Sequence, residues 1–154
     1  MFDGDLRVSG NPKPAAWRGA DPNDDAGAVP GAKKIVVIED DAIVSMAMEN
    51  LLVEAGYVVL STCARGEDAL AVIERQRPDL VLADVKLAGA MDGIEAAAAI
   101  RARRDVPIIF VTAHTDPTTR ERMRAVGPAD ILAKPVPDFL LVRAVAAALG
   151  GPTH

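Results

Sequence analysis

Three adjacent acids, Glu39, Asp40 and Asp41, interrupt the apolar stretch IVVIEDDAIV at residues 35–44. Side by side in a folded site, three carboxylates repel one another and need something to offset that cost. Three more polar residues follow short apolar runs elsewhere: Asp84 after LVLA, Thr112 after IIFV, and Lys134 after ADILA. Carboxylates with a backbone oxygen and water make a hard-oxygen site suited to Mg²⁺, which takes one or two carboxylates and keeps several waters. Such an ion would offset the repulsion. Asp84 could then attack a phosphoryl group and form an aspartyl-phosphate. Mg²⁺, Lys134 and the Thr112 hydroxyl would be partners for the acquired charge. That is phosphoryl transfer by positioning and charge neutralisation. Taken singly, each residue has a plainer reading. The acids could cap a helix, Thr112 could be an ordinary strand residue, and Lys134 a solvated loop charge.

Whether these residues meet depends on the elements that carry them. KIVVI, YVVLST, DLVLADV, VPIIFVTA and ADILA read as five strands from β-branching, length and flanking breaks. DLVLADV is apolar almost throughout, as a strand covered by helices on both faces should be. Between them lie helical patterns. In AIVSMAMENLLVEAG the inward positions are Val44, Ala47, Met48, Leu51, Leu52 and Ala55, with Gly56 as the stop. GEDALAVIERQR turns Leu70 and Ile73 inward, and the alanines of DGIEAAAAIRARR suit close packing on a sheet. DPTTRERMRAVG offers Asp116 as cap, Pro117 at the first position and Gly127 at the end. VPDFLLVRAVAAALGG closes the series from near Pro137. Five strands alternating with five helices predict an α/β domain with a mainly parallel sheet and right-handed crossovers. The polar residues then share one edge of the sheet, where open α/β sheets bind ligands, and their joint placement there is unlikely to be coincidence.

Half of the 154 residues are hydrophobic, enough for one buried core, but aromatics make up only 3%, so that core must be aliphatic. A net charge of −5 gives no electrostatic reason to expect DNA or an anionic membrane surface. Cys63 is the only cysteine, which excludes an intrachain disulfide framework and suits a reducing compartment. No apolar run approaches the roughly 18 residues a membrane span needs. A cytoplasmic protein is the expectation. Residues 1–32, rich in Gly, Pro, Asp and Asn, are expected to form a flexible tail. Trp17 is its one large apolar group. Residues 33–150 are the expected domain and 151–154 a short C-terminal tail.

With those residues in hand, the chain resembles the receiver domains of two-component response regulators over about residues 33–149. VIEDDA matches the family's acidic pair with Glu39 and Asp40, Asp41 lying just beyond it. LVLADVKLAGAMDGIEA matches the phosphoacceptor segment, IIFVTAH the switch strand and ADILAKPV the Lys-Pro segment. The resemblance implies a doubly wound, flavodoxin-like, three-layer fold with strand order 2-1-3-4-5. It implies phosphorylation of Asp84 by a sensor histidine kinase or a histidine phosphotransfer protein, and Mg²⁺ held by Glu39, Asp40, Asp84 and the backbone carbonyl of Lys86. It also implies a cis peptide before Pro135 and a Thr112 that moves toward the phosphoryl oxygens. The surface around the fourth helix, fifth strand and fifth helix would change with it. Two departures stand out. Ile131 occupies the switch position where the family often has Tyr or Phe, and the segment after Asp84 lacks a common proline and is slightly longer. Lys86 and His114 flank the site and could tune phosphoryl lifetime.

With only GGPTH after the last helix, the expectation is a single-domain signalling switch rather than an enzyme, acting on an unknown downstream protein without contacting DNA. An interaction module that keeps the fold without phosphorylation is the alternative, raised by Ile131. Enzymes of similar topology fit poorly. A haloacid-dehalogenase phosphatase needs an acid where Lys86 stands, and Glu39–Asp41 would repel a flavin phosphate.

Overall fold

The computed structural model describes residues 31–150. The expectations for Trp17, for most of the N-terminal tail and for residues 151–154 fall outside the described residues. Five strands, β1 (Lys34–Ile38), β2 (Val58–Cys63), β3 (Leu80–Ala83), β4 (Ile108–Thr112) and β5 (Asp130–Ala133), alternate with five helices. These are α1 (Ala42–Glu54), α2 (Gly66–Gln76), α3 (Gly93–Arg103), α4 (Pro117–Val126) and α5 (Asp138–Ala148). All strand pairs are parallel and the order is β2-β1-β3-β4-β5, the doubly wound sheet the sequence leads one to expect. No helix among the described residues is long and apolar enough to cross a membrane.

The period-2 geometry of the strands divides the core into two layers. Val36, Ile38, Val81, Ala83, Ile108 and Phe110 face α2, α3 and α4. Ile35, Val37, Leu80, Leu82, Ile109 and Val111 face α1 and α5. Because both faces are covered, the three central strands have no polar position before their ends. β5, at the edge, is only partly covered.

Helix boundaries follow local chemistry. Asp41 caps α1, its Oδ1 accepting the Ile43 and Val44 amides at 2.9 and 3.1 Å. Asp116 caps α4 ahead of Pro117, and Gly127 ends it with φ +78°, a conformation glycine adopts without strain. The inward face of α1 differs from expectation. Met48 and Leu52 are buried, but Ala47 and Ala55 are exposed and Ser45 is buried instead. The helix is apolar on nearly every side, so periodicity does not single out one face. Ser45 Oγ donates to Ala42 O at 3.3 Å within its own turn, so its hydroxyl is not left unpaired by burial.

Candidate functional site at the carboxyl edge of the sheet

Glu39, Asp84 and Lys134 are each the first residue beyond a strand and Thr112 is the last within one, and backbone rungs that extend the ladders hold them there. Glu39 N–H donates to Cys63 O at 2.8 Å, Asp84 N–H to Ile38 O at 2.9 Å, and Lys134 N–H to Thr112 O at 2.9 Å. The neighbouring strands β2, β1 and β3 are thereby stapled to one another, and β4 to β5, at the level of the polar residues. The sheet edge is set by backbone, and the side chains emerge from fixed points.

Lys134 joins the cluster. Its Nζ donates to Glu39 Oε1 at 2.8 Å and to Asp84 Oδ2 at 3.0 Å, linking residues 95 and 50 positions away in sequence. The remaining carboxylate oxygens are used as well. Glu39 Oε2 accepts the Asp41 amide at 3.1 Å, and Asp84 Oδ1 accepts the Val85 amide at 2.6 Å. Glu39 and Asp84 are 4% and 8% exposed, and the Lys134 ammonium between them supplies the hydrogen-bonded counter-charge that buried carboxylates need. Burial pushes the Glu39 carboxyl above its ordinary value, with the nearby Asp84 charge adding to that. The Lys134 and Asp41 hydrogen bonds pull the other way without reversing it. Burial also acts to lower the Lys134 ammonium, but its bonds to Glu39 and Asp84 and their attraction outweigh that, and its pKa is raised.

The acidic triplet divides. Glu39 turns into the site, Asp41 caps α1, and Asp40 lies exposed between them with no hydrogen bond to another described residue. Among the described residues no three acidic, Cys or His side chains converge into a metal cage; the Lys134 ammonium holds two of the acids. The donor set nonetheless suits Mg²⁺ chemically, because carboxylate oxygens are hard ligands and this ion needs only one or two of them. Thr112 is fully buried. Its Oγ1 accepts the His114 amide at 3.0 Å, so the hydroxyl engages the β4–α4 loop. Lys86 and His114 are exposed beside the site. Ile131 is half-buried and packs into the α2–α4 layer, and the Lys134–Pro135 peptide is cis.

Two features were not read from the sequence. Gly93, the second residue of the DGIEAAAAIRARR pattern, packs against the backbone of the phosphoacceptor segment. Its N–H donates to Val85 O at 2.7 Å, and a Cβ at this position would collide with the Asp84 carbonyl oxygen. The second is a capping box. Asp92 Oδ1 accepts the Glu95 amide at 2.8 Å and Glu95 Oε1 the Asp92 amide at 2.9 Å, while Arg122 of α4 donates to Asp92 Oδ2 at 3.0 Å. The D-x-x-E spacing carries a signal for the cap, but nothing local announces Arg122. The longer segment after Asp84 lies against the β2–α2 loop and the first turn of α2, where Ala88 N–H donates to Ala64 O at 3.2 Å and Ala90 N–H to Glu67 Oε2 at 3.4 Å.

Comparison with known proteins agrees with this geometry. Residues 35–146 match the family described as the response regulator receiver domain. The transcriptional regulatory protein PdtaR of Mycobacterium tuberculosis is 36% identical over 108 residues, covering 70% of this chain and 51% of PdtaR. The phyllosphere-induced regulator PhyR of Methylorubrum extorquens is 34% identical over 106 residues, covering 68% of this chain and 39% of PhyR. The chain thus spans about half the length, or less, of these curated relatives. Among solved structures, the receiver domain of a sensor histidine kinase from Pseudomonas aeruginosa, with a magnesium ion coordinated in its active-site cleft, superposes with a TM-score of 0.71. It is 34% identical, and the match covers 79% of this chain and all of that one. A CheY-like receiver domain from Methanospirillum hungatei gives 0.72 at 27% identity, over 77% of this chain and 94% of the other. Sheet order, polar edge and sequence similarity agree, and the chain belongs to the response regulator receiver domain family of two-component signalling.

Proposed function

We propose that Asp84 accepts a phosphoryl group from a phosphohistidine on a sensor kinase or phosphotransfer protein, in a Mg²⁺-dependent reaction, and that this alters a protein-binding face. On this reading residues 33–150 are the working unit, and it operates in the cytoplasm. The observation that carries it is the Lys134 ammonium, 3.0 Å from Asp84 Oδ2 and 2.8 Å from Glu39 Oε1. A buried carboxylate held by one cation, at an edge open to ligands, is oriented for attack.

An Asp84 oxygen attacks phosphorus. The O–P bond forms as the P–N bond to the donor imidazole breaks, and the departing nitrogen keeps the electron pair and takes up a proton. Mg²⁺, held by Glu39, Asp40, Asp84 and the backbone carbonyl of Lys86, would neutralise charge on the transferring oxygens. Lys134 follows the charge from carboxylate to phosphoryl oxygen. Thr112 exchanges the His114 amide for a phosphoryl oxygen, which releases the start of the β4–α4 loop. Ile131 fills its place without an aromatic ring, so the change reaches the surface through that loop. Lys86 and His114 stand where they would limit the approach of hydrolytic water. The donor finds an apolar seat at the same edge, where Ile43 and Met46 begin α1 and Phe139 begins α5, all exposed.

Incubation with Mg²⁺ and acetyl phosphate tests the proposal directly. One phosphoryl group should appear by intact mass in the wild type, be lost on chelation of Mg²⁺, and be absent from Asp84→Asn. A wild type that is never labelled would instead favour a phosphorylation-independent interaction module, and labelling that survives in Asp84→Asn would move the acceptor elsewhere.

A further inference from the structure

We infer that Glu67 is a positioning residue for the phosphoacceptor site. Its carboxylate holds down the segment from Lys86 to Met91 and so fixes where the Lys86 carbonyl lies, a role that rests on the phosphorylation reading above, in which that carbonyl is a Mg²⁺ ligand. Residues 85–92 read VKLAGAMD. The stretch contains no proline, and Gly89 at its middle adopts φ +90°. Such a chain has little stiffness of its own, so its order must come from contacts.

Those contacts run along the β2–α2 connection almost residue by residue. Ala88 N–H donates to Ala64 O at 3.2 Å, and Ala88 forms a parallel bridge with Arg65. Ala90 N–H donates to Glu67 Oε2 at 3.4 Å. Met91 covers Gly66, where an added Cβ would lie 3.1 Å from the Met91 sulfur. At the near end Val85 is pinned by its carbonyl, which accepts Gly93 N–H at 2.7 Å. Lys86 therefore stands between two anchored stretches.

A plainer role for Glu67 would be to sit with Asp68 in the first turn of α2, where acids suit the positive end of the helix dipole. That role would leave the carboxylate in water. Instead Oε1 is enclosed with no hydrogen-bond partner among the described residues, a cost that a solvated oxygen does not bear. It lies against Gly89, where a Cβ would be 3.1 Å from Oε1 and 3.2 Å from Arg65 Cζ and Nη2. The missing side chain lets the carboxylate close on the main chain. The Arg65–Glu67 pair, at 3.8 Å, is loose and partly exposed, so charge adds little. Glu67 acts as an acceptor for Ala90 and as the filler of the space before Gly89.

A segment that is in place only part of the time weakens its metal site in proportion, because the apparent dissociation constant is the intrinsic one divided by the fraction in place. At saturating Mg²⁺ the segment is drawn back. Loss of Glu67 should thus raise the Mg²⁺ requirement and spare the rate at saturation, a split that general destabilisation would not produce.

The test follows acetyl phosphate labelling of the full chain by intact mass across a Mg²⁺ titration, together with amide exchange of the Mg²⁺-free protein by NMR. Glu67→Ala should speed exchange at Ala90 roughly tenfold or more. It should raise half-saturating Mg²⁺ about fivefold, with the rate at saturation within about twofold of wild type. Glu67→Gln keeps an acceptor of the same shape and should restore both. Asp68→Ala removes a charge from the same helix turn and should change neither. A Glu67→Ala variant that matches wild type in either readout, a Glu67→Gln variant no better than Glu67→Ala, or an equal effect in Asp68→Ala would each overturn the inference. A wild type that is never labelled overturns the phosphorylation reading and the positioning role with it. A labelled wild type beside an unaffected Glu67→Ala removes the positioning role alone.

Discussion

Replacing Gly93 with alanine tests how tightly α3 is fitted to the phosphoacceptor. The added Cβ would overlap the Asp84 carbonyl oxygen and would lie 2.7 Å from its carbon and 3.0 Å from Val85 Cα. All three are backbone atoms of a buried strand end, so the overlap is not relieved by a rotamer change. Overpacking a core costs about 1–3 kcal/mol, and the upper end applies where the obstacle is main chain. Separating the segments also weakens the 2.7 Å bond from Gly93 N–H to Val85 O, worth about 1 kcal/mol. Alanine returns up to about 1 kcal/mol in helix propensity, leaving a net loss of about 2–3 kcal/mol. At about 2.1 cal/mol/K per residue, a domain of about 120 residues loses roughly 1 °C for each 0.25 kcal/mol, so the midpoint should fall by about 8–12 °C. Gly66 is the matched comparison. It also opens a helix, but its added Cβ would meet Ala96 Cβ at 3.0 Å and the flexible Met91 side chain at 3.1 and 3.2 Å. Gly66→Ala should therefore cost about 1 kcal/mol and only a few degrees. Thermal unfolding by circular dichroism measures both. Equal midpoints for the two variants, or a Gly93→Ala midpoint within about 2 °C of wild type, would refute the steric reasoning.

Three other outcomes are expected. Mg²⁺ should raise the thermal midpoint in a concentration-dependent way, by about 2.7 kcal/mol of stability at a hundredfold excess over the dissociation constant, and Asp40→Ala with Asp84→Ala should abolish the shift in differential scanning fluorimetry. Asp92→Ala removes a cap and the Arg122 contact and should cost about 1 kcal/mol in urea unfolding, with faster amide exchange at Glu95. Asp116 is held below its ordinary value of 3.8 by its side-chain bond to Thr119 and then by the Thr119 amide. A lowered folded value means the cap's contribution is present above the ordinary value and lost as the pH falls through the lowered one. Thr119 amide exchange should accelerate in that acid window, and Asp116→Asn should flatten the dependence.

What could be read in the chain, and what could not, divides along physical lines. A parallel strand buried on both faces has no polar position until it ends, so Glu39, Asp84 and Thr112 announced themselves as interruptions of apolar runs. The boundaries of α4 were legible because Asp116, Pro117 and Gly127 each act on the residues next to them. The inward face of α1 was not, because apolar residues on nearly every side leave the period without contrast. Contacts that cross the fold were hidden too. Nothing near Lys134 says that its ammonium will choose Glu39 and Asp84 together, and nothing near Gly93 says that a carbonyl from another element occupies the space of its missing side chain.

The sheet separates two unlike surfaces. On one side α1 and α5 expose Ile43, Met46, Val53 and Phe139; on the other α4 exposes arginines. On the phosphorylation reading proposed above, a protein that writes the phosphoryl mark at the apolar layer and a protein that reads it at the other would be separated by the buried central strands. Substitutions that retune the writer need not disturb the reader. Such a partition lets a chain of this size be rewired one connection at a time, by descent or by design.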